Sequence, residues 1–225
     1  MGAPTPRWTA VLLDLDGTIV DSAPGITETL AWTFEQLGLP VPPPSEMLAW
    51  VGPPLLDSFR ELGGLSEDEA RAALAIYRAR YRGIGVYGAT VYPGMERVIR
   101  DLRESGIPIS LATSKPESLA RAILEREALL GEFDVITGAS EDERRSAKAD
   151  VVELALERLR AIGADTARPV LVGDRHHDVE GAAVHRVPTI FAAWGYGAPA
   201  EAAGSLAIAR DTAELRPLLN LPPLP

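Results

Sequence analysis

Residues 8–15 are apolar through Ala10, Val11, Leu12 and Leu13 and stop at the acidic turn Asp14-Leu15-Asp16-Gly17-Thr18, which predicts a buried strand with a polar end. The spacing then turns helical. Ile26, Leu30, Phe34 and Leu37 share one face, closed by Gly38 and the breaker run Pro40, Pro42, Pro43 and Pro44. A short helix is expected over 53–62. Ser66 and Glu69 then form a capping box for a third helix, with Ala70, Ala73, Leu74, Tyr77 and Tyr81 on its apolar face.

From residue 91 the pattern alternates. Strands are predicted over 107–113, 133–137, 169–173 and 188–192, with a short one over 206–209. Helices are predicted over 93–104, 117–130, 150–162 and 177–185. Short apolar strands separated by helices imply an α/β fold with a mostly parallel sheet covered on both faces. The all-helical stretch from about 22 to 88 interrupts this core after its first strand. The tail, 218–225, reads as a frayed end or one lying on the surface.

The chain has 225 residues, 46% of them apolar and 24% charged, the balance of a globular protein. It contains no apolar stretch of the roughly 20 residues a membrane helix needs, and no membrane partner is expected. Its 22 basic and 32 acidic residues give a net charge of −10, which repels nucleic acid and anionic lipid alike. The absence of cysteine excludes disulfides, thiolate metal sites and cysteine nucleophiles. The start, MGAPTPRW, lacks a signal-peptide layout, so a cytoplasmic protein is expected. Only two lysines occur, Lys115 and Lys148.

In open parallel sheets ligands bind beyond the carboxyl ends of the strands. The predicted strand ends carry Asp14 and Asp16, then Thr113 and Ser114, then Gly173-Asp174 with Asp178 four residues on. Lys148 adds a cation at a helix start. Clustered carboxylates repel one another unless a cation neutralises them. Oxygen ligands without cysteine suit Mg²⁺, which commonly shares a site with a substrate phosphate. Pro116 at a first helical position would leave the amides before it pointing at such an anion.

DLDGTIVDS at 14–22, LATSKP at 111–116, Lys148 in RRSAKAD and VGDRHHDVEGA at 172–182 occur in that order. In these motifs the whole chain resembles the haloacid dehalogenase superfamily of aspartate-nucleophile phosphatases, in its phosphoglycolate-phosphatase-like branch. The resemblance implies a Rossmann-like core formed by residues 1–20 and 91–225, with a smaller α-helical cap domain, 21–90, inserted after the first strand. It implies that Asp14 is the nucleophile and a metal ligand. Asp16 would be the general acid and base, its backbone carbonyl reaching the metal. Thr113 and Ser114 would bind the substrate phosphate together with Lys148, which also balances the nucleophile, and Asp174 would complete the Mg²⁺ ligands. Asp178 would hold metal-bound water or support that shell, or else be a helix N-terminal charge.

The expected activity is Mg²⁺-dependent hydrolysis of a small phosphorylated metabolite, such as a phosphoglycolate-like ester, a sugar phosphate or a nucleoside monophosphate. A phosphomutase with the same nucleophile is the nearest alternative. A phospho-accepting signalling module without turnover is the alternative from another class.

Other features read as structural. Asp21 and Ser22 start the first helix of the insert, and Lys115 either reaches the phosphate or is a solvated helix-start lysine. Gly83-Ile84-Gly85-Val86-Tyr87-Gly88 follows a helix and does not open one after a strand, so it is not a dinucleotide motif. His176 and His177 are expected in a loop. Trp32, Phe34, Tyr77 and Tyr81 are expected in the core of the insert, and Trp50, Gly52, Pro53 and Pro54 in a stiff loop facing the site.

Overall fold

A computed structural model describes residues 8–142 and 144–222. The reading of the first seven residues and of the last three in the tail lies outside the described residues.

The strand β1 (Ala10–Leu13) is followed by β2 (Val20–Asp21) and by the helices α1 (Ala23–Gln36), α2 (Pro44–Met47), α3 (Leu55–Glu61) and α4 (Glu67–Gly83). The chain returns through β3 (Thr90–Val91) and α5 (Met95–Ser105) to β4 (Ile109–Pro116) and α6 (Glu117–Arg126). It continues with β5 (Val135–Ala139), α7 (Lys148–Ala161), β6 (Pro169–Gly173), α8 (His176–Val184), β7 (Thr189–Ala192), β8 (Ala207–Ala209) and α9 (Thr212–Leu218).

The main sheet has the order β5-β4-β1-β6-β7-β8, and every pairing is parallel. Strand order therefore reverses at β1, which lies between β4 and β6, and this reversal opens a crevice at their carboxyl ends. The β1 residues are buried on both faces, as helix-covered parallel strands must be. Val11 and Leu13 join one apolar cluster, while Ala10 and Leu12 join a second with Val151, Val152 and Leu156 of α7.

The insert packs around its own aromatics. Phe34, Trp50 and Phe59 meet edge to face or tilted, with the Phe34–Trp50 centroids 5.5 Å apart and those of Trp50 and Phe59 5.2 Å apart. Ser66 and Glu69 form the expected capping box of α4. Arg126 of α6 donates to the carbonyls of Val86 and Ala89, so the return of the insert is tied to the core.

Several elements differ from expectation. The antiparallel β2–β3 pair joins the two crossings between core and insert, and its two-residue strands are too short to give a period. β4 runs on through Pro116, which caps α6 from outside and is not its first residue. His176 opens α8 one residue before the predicted helix start at His177, so neither histidine has the loop position also expected for them. Trp32 is half-buried beneath Arg80, whose guanidinium carbon is 4.7 Å from the ring centroid, so it lies outside the buried core. The tail does not fray through its described part, because Leu219 and Leu221 are buried and Arg216 of α9 pairs with Asp101 of α5 at 2.6 Å. No helix among the described residues is long and apolar enough to cross a membrane.

Candidate active site

Asp14 directly follows the central strand, and its N–H donates to Val172 O at 2.9 Å, so the sheet itself fixes where the carboxylate emerges. The chain then turns tightly, with Ile19 and Val20 donating back to Leu15 O at 2.9 and 3.0 Å. Gly17 takes φ +81° there, and a Cβ at that position would stand 2.2 Å from Asp174 Oδ2. Glycine thus serves both the turn and the close approach to Asp174.

Asp14, Asp174 and Asp178 are all buried and offer one carboxylate oxygen each, within 4.8 Å of one another. Lys148, at the start of α7, places its ammonium 2.6 Å from Asp14 Oδ1 and 2.6 Å from Asp178 Oδ1. It also donates to Ala112 O of β4 at 3.0 Å, so two strands and two helices converge on this cation. Asp178 Oδ2 accepts from the Arg175 N–H at 3.0 Å; it therefore caps α8 and also faces the cluster. Asp174 Oδ2 accepts from the Tyr196 N–H at 2.7 Å, and its Oδ1 accepts from the Thr18 hydroxyl at 3.4 Å.

The electrostatics follow from this crowding. Burial, Asp178 and Asp16 push the Asp14 carboxyl up to about 7 against the pull of Lys148. Burial and the charges of Asp178 and Asp14 raise Asp174 well above the carboxylate range. Burial opposes the charged form of Lys148, but Asp14 and Asp178 outweigh it and hold its pKa above the usual lysine value. Hard, mutually repelling oxygen donors in a site without sulfur fit a divalent cation such as Mg²⁺.

The side chain of Asp16 does not join that group of three. Both its oxygens lie 2.9 Å from Lys115 Nζ, and Oδ1 also accepts from the Ser22 hydroxyl at 2.5 Å. Lys115 is thus a buried partner of Asp16 and not a solvated lysine, and Ser22 does more than start a helix. Thr113 is buried within β4, just before its register shifts, and its hydroxyl accepts from the Lys115 N–H at 3.2 Å. Ser114 and Lys148 line one cavity, which opens between α3 and α8, while Ser114, Lys115 and Asp16 line a second beside Trp50, Tyr77 and Tyr81. The loop of Trp50, Gly52 and Pro53 faces the site as expected, and Tyr77 and Tyr81 both pack and line it.

Three contributors left little trace in sequence. Lys115 is marked only by its place in LATSKP and by the scarcity of lysine, neither of which points to Asp16. Arg175 reaches Val51 O in the insert, and the hydroxyl of Tyr196 accepts from the Ser22 and Ala23 N–H groups at 2.7 and 3.0 Å.

A family model described as haloacid dehalogenase-like hydrolase matches residues 11–192. The chain belongs to that family. It shares the phosphoglycolate-phosphatase-like branch with a phosphoglycolate phosphatase of Rhodospirillum rubrum, to which it is 32% identical over 224 residues, covering 95% of this chain and 91% of the relative. It is 32% identical over 195 residues to a 5'-nucleotidase of Pseudomonas aeruginosa, covering 87% of each. It is 41% identical over 187 residues to a Mycobacterium tuberculosis protein named tyrosine-protein kinase PtkA, covering 83% of this chain. The matched part spans only 62% of that relative's length. Among solved haloacid dehalogenase-like folds, the crystal structure of a predicted phosphatase from Clostridium acetobutylicum superposes with a TM-score of 0.88 at 34% identity, covering 95% of this chain and 99% of that one.

Proposed function

We propose that this protein hydrolyses the phosphate monoester of a small metabolite through a phosphoryl group carried transiently on Asp14. The observation that carries the reading is the position of Asp14, buried at the end of the central strand and held by Lys148 at 2.6 Å within a cluster of three carboxylates.

In the first half an Asp14 oxygen forms a bond to phosphorus as the bond to the leaving oxygen breaks, and Asp16 gives that oxygen a proton. In the second half a water oxygen bonds to phosphorus, the bond to Asp14 breaks, and Asp16 recovers a proton from the water. One residue serves both halves because each leaves it in the state the other needs. Lys148 offsets the negative charge that gathers when a dianionic ester approaches a carboxylate. Thr113 and Ser114, in the last half of β4, would hold the phosphate oxygens with it. Asp14, Asp174 and the backbone of Asp16 would hold Mg²⁺, with Asp178 supporting that shell. A bound Mg²⁺ would supply positive charge against the phosphate and the carboxylates. Residues 21–90 would act as a cap that limits substrate size and excludes bulk water.

The test is a panel of phosphoglycolate, sugar phosphates, nucleoside monophosphates and phosphopeptides, with Mg²⁺ or with EDTA. Inorganic phosphate released over many turnovers from small esters, lost in EDTA and in Asp14→Asn, is the expected result. Isomerised sugar phosphate without phosphate release would indicate the mutase instead, and a single phosphorylation without turnover the signalling module.

The name of the mycobacterial relative motivates one further arm, in which ATP and a tyrosine peptide are supplied together. Hydrolysis remains the favoured reading because Gly85–Gly88, the glycine-rich segment, is a short helical turn packed on α1 and is not a loop at a strand end. Phosphate appearing on the peptide in place of solution would reverse that preference.

A further inference from the structure

The chain has two lysines among 22 basic residues, and each pairs with one aspartate of the Asp14-Leu15-Asp16 turn. Lys148 meets Asp14. Lys115 meets Asp16, where its ammonium lies 2.9 Å from both carboxylate oxygens while the Ser22 hydroxyl holds Oδ1 at 2.5 Å. Rotating the carboxylate breaks at least one of these contacts, so its plane is fixed from two sides. The ammonium also stands 4.9 Å from the ring centroid of Tyr81, which α4 brings in from the insert. Both members of the pair are buried, their side chains only 7% exposed. Desolvating two charges cancels most of what their attraction returns, so fold stability is a weak reason for such a pair.

We propose that Lys115, assisted by Ser22, is the positioning residue for Asp16, holding its carboxyl group in the orientation from which, carrying the proton that the second half of the cycle returns to it, it protonates the leaving oxygen. The inference rests on the hydrolase reading above and adds to it a residue and a leaving-group dependence. An alkoxide leaves poorly unless it is protonated, whereas p-nitrophenolate leaves readily without a proton. Misplacing Asp16 therefore has a cost that depends on the ester. A displacement of about 1 Å in a reacting group is worth on the order of 100-fold in rate.

The experiment compares kcat and KM of wild type, Lys115→Met and Ser22→Ala on an alkyl phosphate and on p-nitrophenyl phosphate, at saturating Mg²⁺. For Lys115→Met, kcat on the alkyl ester is expected to fall at least about tenfold further than on the aryl ester, with little change in KM for the aryl ester. Ser22→Ala, which removes one contact and no charge, is expected to show a smaller split of the same sign; it carries the test if circular dichroism shows Lys115→Met unfolded. An equal loss on both esters, or no loss, overturns the proposal. A rise in KM common to both esters also overturns it and assigns Lys115 to phosphate binding. A wild-type enzyme inert on both esters would instead sink the hydrolase reading, and this inference with it.

Discussion

Arg175, the residue after Asp174, donates from its guanidinium to the backbone carbonyl of Val51 in the insert at 2.5 Å. Its Nε is anchored on Glu201 at 2.9 Å, and Glu201 also bonds the His176 ring at 2.8 Å. One arginine thus links the carboxylate cluster to the loop of Trp50 and Gly52 that faces the site. Such a charge-assisted bond contributes about 1.5 kcal/mol or more, worth about tenfold in binding. Arg175→Ala is expected to raise KM by about that factor with a smaller effect on kcat. Steady-state kinetics on the best ester of the panel check this; an unchanged KM would show that another contact holds the loop.

Lys148 is shared by Asp14 and Asp178, so its removal leaves two buried carboxylates facing each other. Lys148→Met is expected to reduce turnover by at least about 100-fold, as loss of a preorganised charge at the reacting group does. It should also cost on the order of 3 kcal/mol of stability near pH 8. Lys148→Arg should restore little, since a planar fork does not reproduce an ammonium aimed at three oxygens. Activity assays and urea melts test both statements.

The raised Asp14 pKa has a consequence for stability. Burial, Asp178 and Asp16 push it from 3.8 to about 7, so between those values the folded protein keeps a proton that the unfolded chain has released. Stability contributed by this group is therefore greatest at low pH and is lost as pH rises toward 7. In EDTA the wild-type melting temperature is expected to fall more between pH 5 and pH 8 than that of Asp14→Asn. Mg²⁺ binding the folded state at 100 times its Kd would add about 2.7 kcal/mol. Scanning calorimetry of both proteins, with and without Mg²⁺, checks the sign; parallel slopes in EDTA would show that Asp14 is not the group responsible.

Gly17 leaves no room for a side chain. Its φ of +81° is strained for any L residue, and a Cβ would meet Asp174 Oδ2 at 2.2 Å. Gly17→Ala is expected to destabilise the fold by on the order of 2 kcal/mol and to displace Asp174. Mg²⁺ affinity, measured calorimetrically, should fall along with activity. Native affinity would mean that the turn absorbs the methyl group without moving Asp174.

The amino-acid pattern by itself determined the α/β core, the helical interruption after β1, the capping box of α4 and the strand ends that carry Asp14, Asp16, Thr113 and Asp174. Each of these is local: a period of two or of 3.6, a breaker, or a polar residue where an apolar run stops. Only the tertiary structure decided which of these groups meet. It placed Asp178 with Asp14 and Asp174, and gave Asp16 to Lys115 and Ser22. It also carried Arg175 across to Val51, 124 residues away in the chain. Long side chains such as Lys115 and Arg175 turn according to which charges lie within reach and how little water surrounds them. Those conditions arise only when β1, β4 and β6 lie side by side and the insert folds over their ends.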